Sequence, residues 1–177
     1  MLGRLVRYGG AAGLIVGVEL FTVTLAFNGH PTAPWGAVVG YLTMLVALSA
    51  VFLAIKSWRD EDLGGVVRFW PALGLGLAIS AVASVLYVLA WEAALAVTHM
   101  DFAGGYARAL IAQQRARGVS GEALDRYIAQ METFKAQYAD PLYRLPMTFT
   151  EIFPVGVLVS LVSAGLLRNS RFLPARR

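Results

Sequence analysis

The sequence has no cysteine among its 177 residues, which excludes a disulfide framework and any thiolate-held metal or redox centre. It is also poor in charge. Asp, Glu, Lys and Arg make up 15% of the chain, against about 25% in an average soluble domain. None of the four occurs from residue 20 to residue 55. What fills the space is apolar, 58% of all residues, where about 45–50% is usual. This composition excludes disorder, fibrous repeats and most soluble enzymes, and it points to an integral membrane protein. The net charge of +4 then belongs to loop ends held on the cytoplasmic face rather than to a nucleic-acid surface. No G-x-S-x-G elbow and no phosphate-binding glycine loop occurs, so no reaction is named.

Four stretches are long and apolar enough to cross a bilayer, which makes the predicted fold all-α and polytopic. They run over about 5–27, 35–55, 69–97 and 145–167 and form a single membrane domain over 1–177. Asn28, Gly29, His30, Pro31 and Pro34 turn the chain between the first two spans. The cluster Lys56, Arg59, Asp60, Glu61 and Asp62 ends the second at a water interface. Trp35, Trp58, Trp70 and Trp91 fall near span ends, where an aromatic belt is expected. Arg4 and Arg7 resemble the basic start of a signal peptide, but the apolar run that follows is too long for one and contains Glu19.

Basic side chains are retained on the cytoplasmic side during insertion, and Arg4, Arg7, Lys56, Arg59, Arg68, Arg168, Arg171, Arg176 and Arg177 would share one side. Both termini are therefore expected in the cytoplasm, and the segment 98–144 outside it. That segment reads as an amphipathic helical hairpin broken at Gly118. Phe102, Tyr106, Leu110 and Gln113 mark one apolar face, and Leu124, Ile128, Met131, Phe134 and Tyr138 the other, with Ser120 placed as an N-cap. Such stripes serve as packing surfaces over the bundle or a second subunit, or else dock on a membrane surface or a partner.

Helices in lipid gain little from hydrophobic burial against one another, so small residues must allow close approach. Gly9, Gly13 and Gly17 line one stripe of the first span, and Gly36 and Gly40 repeat the spacing in the second. Gly76, Ser80 and Ser84 do so in the third, and Gly156, Ser160 and Ala164 in the fourth. Pro154 lies inside the fourth span, where it removes a helical hydrogen bond and is expected to bend it.

Glu19, Glu92 and Glu151 lie within spans rather than at their edges, at depths of roughly 8 to 12 Å, so one polar layer can contain all three. Tyr41 reaches similar depth, with Thr22, Thr148 and Thr150 nearby. An acidic side chain near a span's centre costs about 2.5–3.5 kcal/mol, and keeping it neutral at pH 7 costs a comparable roughly 3.7 kcal/mol. A shared proton, hydrogen bonds from hydroxyls or a bound cation would each relieve the cost. Arg144, Thr148 and Glu151 follow at intervals of four and three along one helical face, so Arg144 can reach down toward Glu151 as an internal compensator. His30, His99 and Asp101 match no metal-ligand spacing, and no metal or cofactor is expected.

Three stretches carry a resemblance. They are Lys56-Ser57-Trp58-Arg59-Asp60-Glu61 with Gly64-Gly65 and Phe69-Trp70-Pro71-Ala72-Leu73, then Tyr87-Val88-Leu89-Ala90-Trp91-Glu92, then Glu151-Ile152-Phe153-Pro154-Val155-Gly156. Their order, and the polar insert before the last helix, resembles the bacterial family catalogued as domain of unknown function 4199 over nearly the whole chain. The resemblance implies a four-helix protein of the bacterial inner membrane and implies no activity. It places Glu92 and Glu151 inside the matching stretches and Glu19 outside them.

Two functions fit these residues. One is a structural or accessory membrane component, with Glu19, Glu92, Glu151, Tyr41, Arg144 and Thr148 as an internal polar network and the hairpin meeting a second copy or a membrane partner. The other is a small proton- or cation-coupled transporter acting as an oligomer. A membrane-embedded hydrolase lacks a ligand set to support it.

Overall fold

The computed structural model describes residues 2–27 and 36–174. The turn containing His30, together with Trp35, Arg176 and Arg177, lies outside the described residues. All regular structure among the described residues is helical, and four helices are long and apolar enough to span a membrane. The first span opens with α1 (Leu2–Arg4), widens through a π-helical turn (Leu5–Gly9) and continues as α2 (Gly10–Phe27). The others are α3 (Gly36–Glu61), α4 (Phe69–Thr98) and α7 (Pro141–Leu167). Between the last two lie α5 (Phe102–Ala116) and α6 (Gly121–Ala139), the hairpin. The fourth span begins four residues before its expected start because Asp140 caps it, accepting the Leu142 N–H at 2.9 Å, and Pro141 suits a helix's first turn.

α4 is the central helix. It packs against α2 along one side and α7 along another, and α3 completes the bundle against α2 and α7. The seams are made of small residues. Gly9, Gly13 and Gly17 of the first span lie against Val82, Leu86 and Ala90 of α4, with room for no larger side chain unless these shift. Gly76 and Ser80 interlock with Gly156 and Ser160 of α7, and the Ser80 and Ser160 hydroxyls meet at 3.3 Å while donating to their own helices' carbonyls. Gly40 departs from the expectation, since nothing approaches the space beside it. The reason is visible in α3, where no residue from Val38 to Val46 is buried and the buried face begins at Ala47.

The end of the bundle that carries the chain termini is tied by ion pairs. Arg4 donates to Ser57, Glu61 and Asp62, joining the first helix to the end of α3. Gly64 and Gly65, at φ 63° and 91°, turn the chain back toward α4. Arg59 is fully buried, where its position had suggested a solvated interface residue. Its guanidinium donates to the Phe172 and Leu173 carbonyls and to Asp60, so it folds the C-terminal segment onto the bundle.

At the opposite end, the two stripes of the hairpin meet each other. Phe102 and Tyr106 of α5 pack on Phe134 and Tyr138 of α6, and Trp91 of α4 meets Phe102 edge-on at 5.0 Å. Asp101 caps α5 through the Gly104 N–H at 2.8 Å. Ser120 stands at the expected start of α6 without a capping hydrogen bond.

Candidate functional site

Glu92 and Glu151, acids within the spans, fall into two groups toward the hairpin end. Glu92, about two turns before the end of α4, receives both Nε and Nη2 of Arg144, at 2.7 and 2.6 Å. This fork-on-fork geometry is the strongest arrangement for the pair. The third nitrogen of Arg144 donates to the Tyr138 carbonyl at 3.1 Å, and its guanidinium lies over the Tyr138 ring. Tyr138 in turn accepts the Trp91 indole N–H at 2.8 Å. α4, α6 and α7 are thus joined through one polar cluster beneath the hairpin. Outside the spans, burial pushes the Tyr138 phenol up to about 12, partly countered by the Trp91 hydrogen bond. Asp101, at the start of α5, is held below the usual carboxylate range by the Gly104 N–H and then by Arg108.

Arg144 therefore does not reach Glu151, as the four-and-three spacing suggested. Same-face spacing permits a contact within one helix, but Glu92 on the neighbouring helix offers both carboxylate oxygens to the fork. Thr148 is buried and donates to the Arg144 carbonyl of its own helix at 3.1 Å, and Thr150 likewise to Met147 at 2.7 Å. Neither threonine hydroxyl bonds to a glutamate.

The second group surrounds Tyr87, a buried residue of α4. Its hydroxyl donates to Glu151 of α7 at 3.1 Å. Glu19 lies two residues beyond Gly17, which packs on Ala90 of α4, so it stands at the level of this group. Glu151 thus has a partner on α4, whereas Glu19 has no side-chain hydrogen bond among the described residues. No Lys or Arg pairs with Glu19 or Glu151 among the described residues. Glu151 and Tyr41 are exposed on the flank of the bundle, and Glu19 is half-buried.

Sequence reasoning missed Tyr87, Tyr138 and Trp91 as partners. Tyr87 lies five residues before Glu92, too far along a helix to share its site, and only the packing of α7 on α4 makes it the partner of Glu151. His99 takes a backbone role, closing α4 in the left-handed region at φ 52° with its N–H on the Leu95 carbonyl. No group of three metal-binding side chains lies together among the described residues.

A cleft of about 460 Å³ opens above the Glu92–Arg144 pair, where α4 ends, α5 begins, α6 ends and α7 begins. The network holds the hairpin's base to the bundle, whereas Glu151 and Glu19 have no Lys or Arg partner among the described residues.

No curated protein and no solved structure matches the chain. One family profile does, described as "Protein of unknown function (DUF4199)", and because it spans residues 7–169 the chain belongs to that family.

Proposed function

We propose that this protein is a structural or accessory component of a membrane, without catalytic activity, whose polar layer fixes the hairpin to the helical bundle. The observation that carries this reading is the two-pronged Arg144–Glu92 pair, joined to α6 through the Tyr138 carbonyl. A partly buried charge pair of this geometry serves orientation more than gross stability. It holds the base of the hairpin at one angle, so that α5 and α6 present a fixed surface to a second copy or a membrane partner. The basic residues at the opposite end, Arg4, Lys56, Arg59, Arg68 and Arg168, support placing both termini in the cytoplasm and the hairpin outside it. With the family resemblance, they support a bacterial inner membrane.

Removing one partner tests the reading. Arg144→Met leaves the Glu92 carboxylate without its fork and should lower stability by about 1.5–3 kcal/mol, the range for hydrogen bonds to charged groups. Adding Glu92→Gln to it should recover part of the loss. Thermal unfolding and limited proteolysis of the detergent-solubilised protein read both effects. An Arg144→Met protein with unchanged melting and an equally protease-resistant hairpin would remove the structural role.

A second reading rests on Glu151, held by Tyr87, and on Glu19, neither of which has a cationic partner among the described residues. Acids in that setting exchange a proton or a cation in a coupled transporter, which would need a second copy to enclose a path. Proton release by the purified protein on adding monovalent and organic cations, abolished in Glu151→Gln, supports it. No release across a broad panel rules it out.

A further inference from the structure

The cleft above the Glu92–Arg144 pair has a composition that scaffolding alone does not require. Its walls hold two acids and two bases, Glu92 and Asp101 with Arg144 and Lys135. Arg144 uses three of its five N–H groups, on Glu92 and the Tyr138 carbonyl, which leaves two for an incoming anion. Lys135 is tied only to Glu132 in an exposed pair, an interaction worth little. Asp101 is partnered only by its cap and by Arg108 at the surface.

Height within the membrane narrows the ligand. The 30 residues of α4 extend about 45 Å, which matches a bilayer including its headgroups rather than its hydrocarbon alone. Glu92 lies six residues before the end of α4, roughly 9 Å along the axis. The cleft therefore sits where headgroups meet acyl chains. A row of exposed apolar residues on α4, namely Val85, Leu89, Ala93 and Ala96, leads from the cleft wall into the hydrocarbon zone at helical spacing.

We propose that this cleft binds the headgroup of a zwitterionic phospholipid bearing a primary ammonium. The phosphate meets Lys135 and the free N–H groups of Arg144, the ammonium donates to Asp101 and the outer face of Glu92, and the acyl chains lie along the exposed row of α4. A primary ammonium suits two carboxylates because it donates up to three hydrogen bonds, whereas a trimethylated one donates none. A soluble zwitterion would make the same polar contacts but would gain nothing from the apolar row.

The test is lipid titration of the full-length protein in detergent, followed by native mass spectrometry. The probes are phosphatidylethanolamine, phosphatidylcholine, phosphatidylglycerol and water-soluble glycerophosphoethanolamine. Phosphatidylethanolamine should bind about tenfold more tightly than the other two lipids, and the soluble headgroup should not compete. Lys135→Glu should reduce binding by about tenfold. Asp101→Asn, which keeps an acceptor for the α5 cap, should narrow the preference over phosphatidylglycerol without unfolding the hairpin. Equal binding of the three lipids, full binding by Lys135→Glu, or competition by the soluble headgroup at comparable concentration would each overturn the proposal.

Discussion

At the scale of single residues, Tyr138 joins the chemistry of the hairpin to that of the spans. Its hydroxyl accepts the Trp91 N–H at 2.8 Å, and its backbone carbonyl accepts from Arg144. Tyr138→Phe leaves the buried indole N–H without an acceptor and should cost about 1–3 kcal/mol, measured as a lower melting temperature. The same substitution should change the alkaline limb of stability. The folded protein holds the phenol proton to about pH 12, whereas an unfolded chain releases it near pH 10. Above pH 10 the unfolded state binds fewer protons than the folded one, so this phenol's contribution is full below pH 10 and is lost as pH rises through 12. Melting temperatures recorded from pH 9 to 12 should therefore fall less steeply in Tyr138→Phe than in the parent. Coincident slopes would mean that this phenol is not held in its protonated form. Residues of this kind were illegible in the sequence because their partners lie far along the chain. Tyr138 and Trp91 are 47 positions apart, and Arg144 and Glu92 are 52 apart. Spacing rules describe one helix at a time, which is why they offered Arg144 the acid on its own helix and not the one beside it. Arg59 was misplaced for a related reason, since besides Asp60 its partners are backbone carbonyls, which carry no sequence signal.

At the scale of elements, the seams between helices were largely legible. A small residue every fourth position marks a groove, and three of the four expected grooves are occupied by a neighbouring helix. Burial separates the occupied from the empty. A Cβ added at Gly156 would fall under 3.0 Å from the Cβ and hydroxyl of Ser80, whereas one at Gly40 would meet nothing within 4 Å. Gly156→Ala should therefore destabilise the α4–α7 pair by about 1–3 kcal/mol, and Gly40→Ala should be neutral within about 0.5 kcal/mol. Unfolding of the two variants in the same detergent provides the comparison, and equal losses would contradict the seam. The four long apolar helices were legible from apolar runs, and the hairpin from its two stripes. What the stripes touch was not. A stripe at intervals of three and four states that a face will be covered, but Phe102 and Phe134 are covered by each other's helices, an outcome that periodicity shares with docking on a membrane. The empty groove at Gly40 has the same origin, because a motif records that close approach is allowed and not that a neighbour arrives.

At the scale of the whole molecule, the two ends of the bundle differ in how they hold charge. The terminal end concentrates basic residues, and several are satisfied there: Arg4 by Glu61 and Asp62, Lys56 by Asp60, and Arg59 by the C-terminal carbonyls. The hairpin end has bases too, six Lys or Arg over residues 98–144 against nine at the terminal end. The proposed orientation rests on that excess. Residues 62–68 join α3 to α4 at the same end as Leu2 and the end of α7, the face that the proposed orientation puts in the cytoplasm. The lack of cysteine makes this directly measurable, since one introduced thiol is the only one in the protein. Asp125→Cys on the exposed side of α6, and Arg171→Cys beyond the end of α7, sit at opposite ends and disturb no buried contact. In intact cells a membrane-impermeant maleimide should label the first and spare the second, and permeabilisation should expose both. The reverse pattern would invert the molecule. It would put the hairpin, and the headgroup cleft beneath it, on the cytoplasmic leaflet, while leaving the pairing of Glu92 with Arg144 and the lipid selectivity of that cleft unchanged.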